Sequence, residues 1–96
     1  MHYLRVQWLH SFPDDPVEIY SEVDDDGWET RKVEVFRDGS MGYASATDAN
    51  HSTVLGEERM PSLEQIAADP QFRAKSIGKD QFEIIWAKRL SSARSA

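Results

Sequence analysis

Three consecutive carboxylates and a glycine, V-D-D-D-G-W at residues 23–28, form the densest group of ligating side chains in this sequence. Oxygens at alternate positions are how a calcium loop grips its ion. Setting Gly27 against the glycine of such a loop puts Glu22, Asp24 and Asp26 at its first, third and fifth positions. The twelfth position then falls on Val33, where a bidentate glutamate is required. Asp and Gly between two strand-like runs are also what a tight reversal needs, so turn formation is the expectation for Asp24, Asp25 and Asp26.

Histidine chemistry is no better supported. On an extended strand His2 and His10 lie roughly 26 Å apart and cannot share an ion, while His51 sits in a small, polar, aperiodic stretch from Ser45 to Ser52. His10 and Ser11 adjoin Asp14 and Asp15, but no G-x-S-x-G elbow presents that serine for attack. The five glycines stand singly and make no phosphate cradle. Any metal or small-molecule site read from these residues would centre on His10, Asp14, Asp15 and Asp24 to Asp26. No motif calls for a cofactor or a resident metal.

The charged run E-T-R-K-V-E offers another kind of chemistry. On a regular strand Glu29 and Arg31 share one face, and Lys32 and Glu34 the other. Cross-strand pairing with Glu18 and Glu22 would use these charges structurally. The functional reading makes Glu18, Tyr20, Glu22, Glu29, Arg31, Lys32 and Glu34 a recognition surface for a partner protein, since aromatics and arginine are the usual interface anchors.

The elements that must position these residues can be read from periodicity. Tyr3 to His10 alternates, with Leu4, Val6 and Trp8 on one face and Tyr3, Arg5 and Gln7 on the other. S-F-P-D-D-P breaks that strand, and Val17 to Val23 forms a second, with Val17, Ile19 and Val23 opposite Glu18, Tyr20 and Glu22. Trp28 to Arg37 and M-G-Y-A-S-A are the third and fourth, joined by Asp38-Gly39, whose pairing predicts a type I′ hairpin. Trp28 is out of phase with Val33 and Val35, which requires a bulge near Thr30 to Lys32 or a change of buried face. T-V-L is the candidate for a fifth, edge strand. Ser62 and Gln65 form a capping box for a short helix burying Leu63, Ile66 and Ala67 and stopped by Pro70. Lys79 to Leu90 carries Phe82, Ile85, Trp86 and Leu90 at helical spacing. Trp8 and Trp86 are expected in one packed core. The prediction is a single α+β domain over 1–90: a four- or five-stranded antiparallel meander followed by two helices on one sheet face, with a frayed tail at 91–96.

The blocks F-P-D-D-P-V-E-I-Y-S-E, E-T-R-K-V-E-V-F-R-D-G, L-G-E-E, P-S-L-E-Q-I and Q-F-E-I-I-W, in that order, resemble a family of small bacterial domains of unknown function, from Tyr3 to about Trp86. The resemblance implies bacterial origin and a single domain, and brings no activity or catalytic residues. Gly78 departs from the Thr or Ser expected at the last helix's N-cap.

Composition sets the remaining bounds. Ninety-six residues allow one modest core. Without cysteine there is no disulfide, thiolate zinc site or thiol nucleophile, which fits a reducing cytoplasm. The opening M-H-Y-L-R-V-Q-W lacks the pattern of a secretory leader, and no stretch approaches a membrane span. A net charge of −6, with eleven scattered basic residues, argues against nucleic acid. The functional expectation is a non-catalytic protein-binding domain meeting a basic partner through its charged sheet face, by analogy an immunity-like protein; a small-molecule or divalent-metal module, with or without catalysis, is the alternative.

Overall fold

The computed structural model describes residues 1–50 and 53–91. Five strands form one sheet in the order β4-β3-β2-β1-β5, every neighbouring pair antiparallel: β1 is His2–Trp8, β2 Glu18–Val23, β3 Glu29–Val35, β4 Met41–Ser45 and β5 Phe72–Ile77. The α+β prediction holds, and the first four strands are the meander read from the sequence. The fifth is not T-V-L. It is F-R-A-K-S-I, which returns the chain to the far edge beside β1.

The two hairpin turns share one construction. Phe36 N–H donates to Ser40 O and Gly39 N–H to Phe36 O, with Gly39 at φ +87°. Asp24 N–H donates to Trp28 O and Gly27 N–H to Asp24 O, with Gly27 at φ +89°. Each is a three-residue loop whose last residue is left-handed, so Asp38-Gly39 is not the two-residue type I′ turn expected.

The chain from β4 to β5 crosses one face of the sheet, carrying α1 (Leu63–Ala67), and α2 (Lys79–Lys88) then covers the other. The helices therefore lie on opposite faces, not on one. Strand alternation sorts the residues accordingly. Leu4, Val6, Trp8, Ile19, Ser21 and Val23 face the α1 side, and Tyr3, Arg5, Tyr20, Glu22, Val33 and Tyr43 face α2. Trp8 and Trp86 are consequently in separate layers: Trp8 lies tilted against His10 and Phe72, and Trp86 meets Tyr43 edge-on, with centroids 6.0 Å apart.

Both helix starts follow local rules. Ser62 accepts from Gln65 N–H while Gln65 Oε1 accepts from Ser62 N–H, the capping box expected. Gly78 has no side chain to cap α2, and Gln81 Oε1 accepts its N–H instead. Phe82 is fully buried on α2, Ile85 and Trp86 are half-buried, and Leu90 is exposed past the helix end. On α1, Leu63 and Ile66 are only half-buried and Ala67 is exposed, so this helix rests on the sheet more loosely than predicted. No helix among the described residues is long and apolar enough to cross a membrane. His51 lies outside the described residues, as does the predicted tail beyond Ser91.

Candidate functional site

The seven residues expected to form one recognition surface are divided by the sheet. The cause is a bulge in β3: Glu22 pairs with Arg31 and Val23 with Glu29, so Thr30 is extra. Glu29 and Arg31, expected on one face, are thereby put on opposite ones. Trp28's phase mismatch with Val33 and Val35 has the same origin.

On the α2 side, buried Glu22 pairs with half-buried Arg31. Glu22 accepts from Arg31 Nε at 2.9 Å, from Arg31 Nη2 and from Thr30 Oγ1 at 2.8 Å. Arg31 Nη1 donates to Glu83 of α2 at 2.7 Å, and the guanidinium carbon lies 4.8 Å and 5.1 Å from the Phe82 and Trp86 ring centres. A planar fork with two carboxylates and aromatic faces around it is the site arginine suits and lysine does not. Nearby, Glu18 accepts from Arg5 Nε at 3.0 Å and from the Tyr20 hydroxyl at 2.9 Å. The Arg31–Glu83 bond ties α2 to the sheet, and the Arg5–Glu18 bond joins β1 to β2.

The hydrogen bonds from Arg31 hold the Glu22 carboxyl at about 2, against an ordinary 4.5, with those from Thr30 and Tyr3 assisting and burial opposing. A carboxyl lowered on folding stabilises the native state above the unfolded value and loses that contribution as pH falls from 4.5 toward 2. At about 1.4 kcal/mol per pKa unit the loss is roughly 3 kcal/mol. Urea denaturation of the native protein and of Glu22→Gln across this range is expected to show a shallower pH dependence for the variant. Parallel curves would remove Glu22 as the responsible group.

The opposite face holds an arrangement that suits a ligand. Glu29 is 2 % exposed at its side chain, and its carboxylate accepts from Ser21 Oγ at 2.7 Å, Gly56 N–H at 2.8 Å and Lys32 Nζ at 3.0 Å. Lys32 also donates to Val54 O at 3.0 Å, and Thr53 Oγ1 donates to Glu34 at 2.8 Å. Residues 53–56 are thus laced to β3 by the charges of that strand. Beside this cluster opens a cleft of about 410 Å³ under α1. Val6, Ile19, Met60, Ile66 and Phe72 make its apolar walls, and Ser21, Glu29, Lys32, Gln65 and Asp69 supply its polar points. Of the residues singled out in the sequence, Glu29 and Lys32 meet here. Ser21 was legible in principle: it lies in phase with Ile19 and Val23, a hydroxyl on an apolar face, and such a position needs a partner. Gln65, Ile66, Asp69 and Phe72 reach the cleft only because β5 returns to the sheet.

The aspartates turn the chain. Asp24 Oδ1 accepts from the N–H groups of Asp26 and Trp28, and Asp25 pairs with the N-terminal ammonium at 2.9 Å. His10 is committed to its own loop: its Nε2 donates to Pro16 O at 2.7 Å and its Nδ1 accepts from Phe12 N–H at 3.0 Å. Among the described residues, no three His, Asp or Glu side chains converge as metal ligands would.

No curated protein and no solved structure matches the chain. A family model does, over residues 2–91, which include both faces of the sheet, α1 and α2. The chain belongs to the family described as Domain of unknown function (DUF6881).

Proposed function

We propose that this chain is a binding module whose ligand is a small, neutral, largely apolar molecule with a carbonyl-type acceptor at one end, held in the cleft under α1. The observation that carries this reading is Lys32. Its ammonium has three donors, and Glu29 and Val54 O take two. Among the described residues no acceptor takes the third, and Lys32 lines the cleft. A ligand carboxylate would add a negative charge beside Glu29 and Asp69 against a single ammonium, whereas a neutral acceptor takes the bond without that repulsion. The volume and apolar lining fall within the range of small-molecule sites, about 300–1,000 Å³. Of the two functions expected from the sequence, this geometry favours the small-molecule one, with its site moved from the aspartate turn to the cleft. Docking of a partner through residues 18–34 has less support, because those side chains point to two faces and are largely engaged within the chain.

The test is a nuclear magnetic resonance titration with octanamide, octanoate and octylamine. Octanamide is expected to shift the amides of Lys32, Gln65 and Ile66 and to bind most tightly of the three. Ile19→Trp, which fills the cleft from the sheet side, should abolish those shifts while the rest of the spectrum stays native. Equal binding of all three probes, or shifts that survive the substitution, would discard the assignment.

A further inference from the structure

The two edges of the sheet are treated differently. On β4, Asn50 takes over the outer main chain: its N–H donates to Tyr43 O, its Oδ1 accepts from Tyr43 N–H at 2.7 Å and its Nδ2 donates to Met41 O, while Ser45 N–H donates to Asp48 O. On β5 nothing comparable exists among the described residues. Leu9 N–H donates to Gln71 O, so the odd residues of β5 bond to β1 and the even ones face outward. The N–H and C=O groups of Ala74 and Ser76 are therefore open.

The side chains along this open edge are basic in a chain of net charge −6. Arg73 and Lys75 are exposed and project on the α2 side, and among the described residues neither has a carboxylate partner. Lys75 stands directly opposite Arg5 on β1, a like-charge pairing that costs stability, and Glu18 neutralises only Arg5. With Ala74 and Gln7 these three cations line a groove of about 250 Å³.

From this we infer a second binding site, independent of the cleft: the outer edge of β5 takes an acidic, extended segment of a partner protein as a sixth strand. Main-chain bonds to Ala74 and Ser76 supply the affinity, and Asp or Glu opposite Arg73 and Lys75 supplies the selectivity. A second copy of this chain fits worse, because β5 beside its own symmetry mate sets Arg73 and Lys75 against the same cations. Nucleic acid fits worse still, since two unpaired cations neutralise too few phosphates.

The probe is a short blocked peptide alternating glutamate with valine, with a lysine-for-glutamate peptide as control. Fluorescence anisotropy is expected to show binding of the acidic peptide alone, and hydrogen exchange should show the Ala74 and Ser76 amides slowed in its presence. The double variant Arg73→Glu, Lys75→Glu, at two exposed positions, should weaken binding by at least about tenfold. Equal binding of the lysine peptide, unchanged affinity in the double variant, or binding that leaves both amides unprotected would overturn the inference. So would protection that rises with protein concentration in the absence of peptide, which would make a second copy the occupant.

Discussion

Arg31→Met is expected to destabilise the protein by about 3–5 kcal/mol, read from urea denaturation at neutral pH. The arginine stem could be replaced by methionine with modest loss of packing, so the cost is electrostatic. Glu22, 9 % exposed at its side chain, would keep the hydrogen bonds of Thr30 and Tyr3 but lose its only ion-pair partner among the described residues. Glu83 would lose its hold on β3, and the Phe82 ring the cation above it, while Trp86 would keep Arg89 at 4.0 Å. An uncompensated buried charge costs far more than the pair contributes, so Glu22→Gln in the Arg31→Met background should recover much of the loss. A domain of this size has roughly 5–15 kcal/mol in total, and the single variant should unfold at a visibly lower urea concentration. A cost below about 1 kcal/mol would mean that water already screens the pair.

Phe82→Ala is expected to cost about 3–5 kcal/mol, against less than about 0.5 kcal/mol for Ile84→Ala two residues on. Phe82 is fully buried, lies 5.3 Å from the Tyr3 ring centre and 6.2 Å from that of Trp86, and sits beneath the Arg31 guanidinium. Its removal opens a cavity where helix, β1 and β3 meet. Ile84 is 58 % exposed and leaves no such gap. Thermal or urea unfolding of the two variants side by side tests the rotational setting of α2 directly. Similar losses would mean that the helix is turned away from this register.

How far the sequence could be read follows from which signals were local. Four strands, the places of both turns but not the Asp38-Gly39 turn type, and both helices were legible because alternation, Asp-Gly pairs and a capping box act over a few residues. The phase mismatch between Trp28 and Val33 called for a bulge or a change of buried face in β3, and the structure has the bulge. β5 was not legible. In F-R-A-K-S-I the apolar residues Phe72 and Ile77 fall on opposite faces, and Arg73 and Lys75 occupy the middle, the composition of an edge strand that has little to bury. Without β5 the crossing of the chain over the sheet could not be foreseen, nor the placing of one helix on each side. The cleft was lost for the same reason. Its floor, Ser21, Glu29 and Lys32, comes from the meander, but its roof depends on that crossing, a non-local matter of topology. The charged residues of β2 and β3 stood out in the sequence, but the burial of Glu22 and Glu29 and the bonds that tie Arg31 to α2 and Lys32 to residue 54 were not visible in the pattern.

The closure of β4 by Asn50 limits how these molecules can aggregate. Fibre growth by strand addition requires each subunit to offer two sticky sides, one to join and one to extend. Here a single asparagine has blunted one of them, so whatever attaches along β5 terminates the stack instead of seeding it.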